Sequence, residues 1–164
     1  MLVTRAIKGN INDANFHQGS RLIDPFHLEW FDTTKRIIRG FSEGGRELGF
    51  KNFSAEALLE GDVLYEDEEI CIVVKILPCS CIIFKPQNMK DMAVACFEIG
   101  NKHVPIFINS ENEIITAFED PLYNLLQRAG FQPKVENRVI EKTDVLMIHN
   151  YSKNKNKIVL IKEE

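Results

Sequence analysis

The fold of this chain is decided by residues 81–130, which read CIIFKPQNMKDMAVACFEIGNKHVPIFINSENEIITAFEDPLYNLLQRAG. Apolar residues 81–84 predict a short strand. Residues 89–99 predict a helix, with Asn88 as its N-cap and Gly100 as its C-cap. The apolar side chains of this helix recur at helical spacing, at Met89, Met92, Ala93, Cys96 and Phe97.

The rest of this stretch adds two strands, a second helix and a final strand. Residues 104–108 and 114–118 flank a polar turn, and this pattern predicts a hairpin. A second helix is predicted from Asp120, with Pro121 at its first position, where a missing N–H does no harm. Residues 134–140 predict the last strand. The order is strand, helix, strand, strand, helix, strand, which is the ferredoxin-like order.

Residues before this region are strand-like. Residues 70–77 are rich in β-branched side chains and carry the strongest strand signal in the chain. Residues 27–31 and 35–39 predict two further strands, and Gly40 predicts a turn after them. A small β-barrel or sandwich is the expected architecture.

The chain is therefore predicted to belong to the α+β class, with two domains and a tail. A β-rich domain is expected at 1–77 and a ferredoxin-like domain at 78–141. A flexible C-terminal tail is expected at 142–164, where lysine and asparagine dominate.

Composition narrows the possible functions. Apolar residues make up 45% of the 164 residues and charged residues 27%, which is typical of a globular chain rather than a disordered one. The net charge of −4 argues against general nucleic-acid binding, which needs a basic surface. No secretory signal and no apolar run long enough to cross a membrane is visible, so we expect a cytoplasmic protein without a membrane partner.

The four cysteines are expected to be free thiols in that compartment. No C-x-x-C pair occurs. Cys71 and Cys96 lie among apolar residues and are expected to pack in the core. Cys79 and Cys81 share one face of a strand and are suited to a soft metal, although one pair is too few for a closed tetrahedral site. Metal binding by this pair remains open.

Histidines occur at positions 17, 27, 103 and 149. His103 follows the first helix at its junction with the next strand, where a side chain is held by two elements yet partly exposed. A capping role and a metal-binding role both fit that position. No G-x-S-x-G, H-E-x-x-H or Walker A motif occurs, so catalysis is not expected.

Several segments resemble the UreE urease accessory proteins. Residues 95–103 match the pattern A-x-C-[YF]-x-[IL]-G-N-[RK]-H, except that Ala95 directly precedes Cys96. Residues 27–36 resemble D-L-E-W-F-E-T-R-K-K. Shorter likenesses occur at 61–64 and 118–126, so the resemblance extends over about residues 5–135.

The resemblance implies a homodimeric nickel metallochaperone, without an organic cofactor, that serves urease assembly. It implies a peptide- or partner-binding β domain, a ferredoxin-like metal-binding domain, and His103 as the metal ligand at the dimer interface. His149 is either a further ligand or an idle tail residue. Zn²⁺ or Cu²⁺ are able to substitute for Ni²⁺. The implied partners are the urease-accessory GTPase and the urease apoenzyme, and the dimer is open to further assembly with metal.

Coordination chemistry agrees with a dimer. Nickel requires more ligands than one histidine supplies, whereas a symmetric pair of chains supplies two histidine ligands from the same surface patch. The alternatives are a module that binds proteins and no metal, or an enzyme of the acylphosphatase type, for which no anion-binding loop is visible.

Overall fold

A computed structural model describes residues 1–54, 56–141 and 145–146. Within these residues the chain is mixed α+β. The N-terminal strands are β1 (Leu2–Thr4), β2 (Leu22–Leu28), β3 (Ile37–Phe41), β4 (Glu47–Lys51), β5 (Val63–Glu66) and β6 (Ile70–Ile76). They are followed by β7 (Cys79–Phe84), α1 (Met89–Gly100), β8 (Ile106–Ile108), β9 (Ile114–Ala117), α2 (Asp120–Arg128), β10 (Lys134–Arg138) and β11 (Val145–Leu146).

The N-terminal part is all-β, as predicted, and consists of two three-stranded sheets. Their strand orders are β1-β4-β3 and β2-β6-β5. In each sheet one pair is parallel, β1 with β4 and β2 with β6, and the other pair is antiparallel. A shared core lies between them, formed by Phe26, Leu28, Ile38, Leu48, Phe50, Leu58, Leu64, Ile70, Ile72, Val74 and Ile76.

Strand β6 is buried on both faces from Ile70 to Val74, which explains the apolar run at its start, whereas Lys75 near its end is exposed. Its even-numbered residues enter the shared core. Cys71 and Val73 point to the other side, where Ile11 and Phe16 from the N-terminal segment cover them. Cys71 is fully buried there, as predicted.

The C-terminal sheet has the strand order β10-β7-β9-β8-β11, and every neighbouring pair is antiparallel. The predicted hairpin of β8 and β9 is confirmed. The predicted helix cap is confirmed as well, because Asn88 Oδ1 accepts a hydrogen bond from the Asp91 N–H at 3.0 Å. Both helices pack on one face of this sheet, around Ile82, Phe84, Ala95, Ile99, Val104, Ile106, Ile114, Leu122 and Leu126.

The opposite face of the C-terminal sheet meets the N-terminal part through Trp30. The indole contacts the N-terminal core on one side and the cluster around Cys81 and Ile83 on the other. Its ring lies edge-on to Phe107, with ring centroids 6.0 Å apart. Trp30 therefore joins the two cores.

The extended conformation predicted through residue 31 is wrong at its end. Strand β2 stops at Leu28, and Trp30–Asp32 form a 3-10 turn. The Thr33 hydroxyl donates to the Trp30 carbonyl at 2.7 Å and stabilises this turn. Packing of Trp30 between two cores decides the conformation here, not the local alternation of side chains.

Two glycines also differ from their predicted roles. Gly40 lies inside β3 and not in a turn. A Cβ atom there would come within 3.1 Å of the Phe26 ring, so the absence of a side chain lets that ring pack. Gly100 is the last residue of α1 and not its cap; Asn101 follows it in helical conformation.

Strand β11 lies in the segment predicted as a tail and pairs with β8 at the sheet edge, where Val145 is buried. The predicted boundaries at residues 77 and 141 remain predictions. Neither helix of the described residues is long and apolar enough to cross a bilayer.

Candidate metal centre

His103 follows a turn that continues α1 beyond its last residue. The Asn101 N–H bonds to the Phe97 carbonyl at 3.0 Å, and the Lys102 N–H to the Ile99 carbonyl at 3.0 Å. The His103 N–H then bonds to the Gly100 carbonyl at 2.9 Å. These bonds fix the backbone of His103 relative to the helix.

His103 has a left-handed backbone conformation, with φ of 58°. L-residues pay about 1–2 kcal/mol for this conformation, although histidine adopts it more readily than most. The turn sends Val104 into the core and leaves the His103 side chain exposed. Such outliers persist where the surrounding structure holds them and often mark functional sites.

The His103 imidazole makes no hydrogen bond or ion pair with any described residue, so both ring nitrogens are available to a ligand. The side chain lies just beyond the C-terminal end of α1. Carbonyl groups give that end of a helix a partial negative charge, which favours a nearby cation. The position thus suits an imidazole that binds a metal ion.

Helix α1, which leads to His103, has an apolar outer face. Ala93, Val94 and Phe97 recur at helical spacing and are exposed, Phe97 to 67%. Only Ala95 and Ile99 of this helix are fully buried, with Met92 and Cys96 partly so. The predicted apolar stripe of α1 therefore divides between the core and the surface. The signal in the sequence is that apolar residues surround more of this helix than one buried face requires.

The two histidines of the N-terminal part, His17 and His27, are not held at a helix end as His103 is. His27 is exposed in β2, with its Nε2 atom 4.0 Å from Glu43 Oε2. His17 is exposed, and its carbonyl accepts a hydrogen bond from Arg21. His149 lies outside the described residues, so its predicted role as a ligand remains a prediction.

Cys79 and Cys81 do share one face of β7, as predicted, and their Sγ atoms are 3.7 Å apart. In the part of the chain that the structure describes, no group of three or more histidine, cysteine, aspartate or glutamate residues is placed to hold a metal ion.

Comparison with known proteins adds a family. Residues 5–77 match the family model for the N-terminal domain of the UreE urease accessory protein. A urease accessory protein UreE of Acetivibrio thermocellus is 39% identical over 133 residues, which cover 81% of this chain and 84% of that protein. One from Flavobacterium johnsoniae is 37% identical over 79% of this chain and 78% of its own. A third, from Helicobacter hepaticus, is 34% identical over 87% of this chain and 82% of its own length. The chain belongs to the UreE urease accessory protein family.

Proposed function

We propose that this chain is a nickel metallochaperone, and not an enzyme, that carries Ni²⁺ for assembly of the urease active site. The observation that carries the proposal is His103. It is exposed, has no partner among the described residues, and is held in a left-handed conformation at the cation-favouring end of α1.

We infer that two copies form the metal site together. In a twofold dimer the same surface patch faces itself, so contact through Val94 and Phe97 would bring the two copies of the adjacent His103 together. Exposed Phe97 supports this contact, because burial of such a side chain stabilises association by about 1.5–3 kcal/mol. Two imidazoles then share one ion.

The proposed mechanism is capture and hand-over. Two imidazoles leave several nickel positions to water, to His149 where it reaches the site, or to donors of a receiving protein. An ion that retains open positions passes to a new ligand set more easily than one in a closed site. The same ligands accept Zn²⁺ or Cu²⁺.

The proposed destination rests on the relatives, which are named urease accessory proteins. We propose that this protein works in the cytoplasm with the urease-accessory GTPase and the urease apoenzyme. The dimer is open to assembly into larger oligomers with metal.

We also propose a domain plan of 1–77, 78–141 and 142–164, in which the C-terminal sheet and its helices are of the ferredoxin-like type. The spatial order β10-β7-β9-β8, together with the chain order from β7 to β10, supports that type.

A second candidate function is a protein-interaction module that binds no metal. Its supporting observation is the outward face of the first N-terminal sheet, where Val3, Ile37 and Phe41 are exposed, Phe41 to 69%. Large exposed apolar side chains on one sheet face favour a protein partner. This face also suits the partner-binding role expected of the β domain.

A nickel titration separates the two functions. Wild type, His103→Ala and His149→Ala are titrated with Ni²⁺ by equilibrium dialysis, and oligomer mass is measured by analytical ultracentrifugation. His27→Ala is the matched control, because it removes another exposed imidazole. The carrier model expects one high-affinity ion per dimer. It expects His103→Ala to lower nickel affinity about 100-fold or more. His149→Ala should lower it less, or leave it unchanged where His149 is not a ligand. Unchanged affinity in His103→Ala, or a monomer with and without nickel, contradicts it.

A further inference from the structure

The structure contains a pair of sulfur atoms that the proposed nickel site does not use. Cys79 and Cys81 stand two residues apart in β7, with their Sγ atoms 3.7 Å apart. Cys81 is fully buried, whereas Cys79 is half-buried and reachable from solvent. The other two cysteines have different surroundings. Cys71 lies in the core, and the Cys96 thiol contacts the Met92 thioether at 3.9 Å.

The pair lies on the sheet face that no helix covers. Its floor is the apolar cluster that includes Ile83, Phe107 and the Trp30 indole. In the neighbouring strand β10, Arg138 stands directly opposite Cys79 and Glu136 directly opposite Cys81. These two residues form a 2.8 Å ion pair at the edge of the cluster. The thiols therefore have an apolar floor and a charged margin on β10, and the Glu29 carboxylate also lies close enough to add to the effect of burial in raising the pKa of Cys79.

Thiolates select soft metal ions over hard ones. Two metal–sulfur bonds of about 2.3 Å each span up to about 4.6 Å, so sulfurs at 3.7 Å lie within reach of one bridging ion. A linear arrangement requires the two sulfur atoms to separate from 3.7 Å to about 4.6 Å. Closed tetrahedral zinc needs four ligands and is not satisfied by two thiols.

We propose that Cys79 and Cys81 form a two-coordinate site for a soft monovalent d¹⁰ cation of the Cu(I) type, separate from His103. Binding releases both thiol protons to solvent, and each sulfur forms one bond to the ion. The resulting complex carries one negative charge, and it lies beside the Arg138–Glu136 ion pair, whose guanidinium is opposite Cys79 and whose carboxylate is opposite Cys81. No electron is transferred in this step.

Burial has a further consequence for these thiols. It raises the pKa of Cys79, and burial together with the Cys79 thiol raises the pKa of Cys81 to about 12. Binding of the cation must displace both protons, so affinity is expected to rise as pH rises.

The test is an Ag⁺ titration of the reduced, metal-free full chain, because Ag⁺ is soft and monovalent and keeps its oxidation state. Ultraviolet thiolate-to-metal absorbance reports sulfur ligation. Fluorescence emission from Trp30, the single tryptophan, reports whether the ion binds near this cysteine pair, because the indole packs in the same cluster. We expect one high-affinity ion per chain and quenched Trp30 emission.

Cys79→Ser and Cys81→Ala are expected to weaken Ag⁺ binding by at least about 100-fold and to remove the Trp30 response. Cys71→Ser and Cys96→Ser are the matched controls and should keep both, as should His103→Ala. Thermal melting verifies folding, and Cys79→Ser alters a half-buried position that tolerates a hydroxyl. Unchanged affinity in Cys79→Ser and Cys81→Ala, or loss of binding in Cys96→Ser, overturns the proposal. Neither result affects the nickel titration, so the two proposals fail independently.

Discussion

The two helices lie on the same sheet face yet end differently. After α2 the chain turns through Gly130, which has a φ of 88° and no side chain to strain. After α1 the left-handed residue is His103. Glycine would make either turn at lower cost, so the chain accepts backbone strain to place an imidazole after α1.

The outer faces of the helices differ as well. On α2 the exposed side chains are mostly polar, including Asn124 and Gln127, and Leu122 and Leu126 are buried. On α1 the exposed side chains include Val94 and Phe97. Within this chain α2 has completed its packing, whereas α1 presents an apolar surface that a second molecule is able to cover. Both differences are the observations on which the proposed site at the end of α1 rests.

The largest expected effect comes from a charge on the outer face of α1. Phe97→Glu should raise the dimer dissociation constant at least about 100-fold, because two phenylalanines that the proposed interface would bury are lost and two carboxylates are brought together. Sedimentation of metal-free protein measures it. Gln127→Glu places the same charge on α2 and should leave the dimer intact. Equal dissociation by both variants would place the interface elsewhere.

The next effect is the pH dependence of nickel binding. Imidazole coordinates metal only when neutral, and histidine changes charge between about pH 5 and 8. Two imidazoles per ion should therefore lower nickel affinity by about 10- to 100-fold between pH 7.5 and 5.5. Isothermal titration at several pH values measures this loss. A constant affinity across this range would argue against histidine ligation.

Substitution of the left-handed residues that follow the two helices, His103 and Gly130, tests the energetic cost of the His103 conformation. His103→Gly should stabilise the metal-free protein by about 0.5–1 kcal/mol, because relief of strain exceeds the added entropy of the unfolded chain. Gly130→Ala should destabilise it by about 1 kcal/mol through its backbone alone, because a Cβ atom there meets nothing within 4 Å. Urea denaturation compares them. Destabilisation by His103→Gly would mean that the imidazole supports the fold.

Comparable or smaller effects are expected at the helix starts, where α1 has a side-chain cap and α2 has none. Asn88→Ala should cost about 1 kcal/mol of stability through loss of the cap. Glu119→Asn should add a few tenths of a kcal/mol, because asparagine is a better cap than glutamate. The same denaturation experiment resolves both, with Gln127→Ala as a surface control. Equal stability of Asn88→Ala and wild type would show that the cap is dispensable.

Local sequence determined the parts of the structure that depend on near neighbours. The Asn88 cap joins residues three apart, the hairpin of β8 and β9 closes across a short polar turn, and Gly130 supplies a left-handed stop. Each of these features can be predicted from a few consecutive residues, because its hydrogen bonds or backbone angles are local. The G-N-K-H motif likewise singles out His103, whose role as a metal ligand remains a prediction.

Distant packing decided the rest. The sequence indicated strands but not the parallel pairing of β1 with β4 or β2 with β6, since either partner satisfies the same backbone groups. Trp30 takes a 3-10 turn because two cores meet around it. The left-handed angle of His103 and the exposure of Phe97 also required the tertiary structure, because the sheet that α1 packs against fixes which helix face is buried and where the following strand begins.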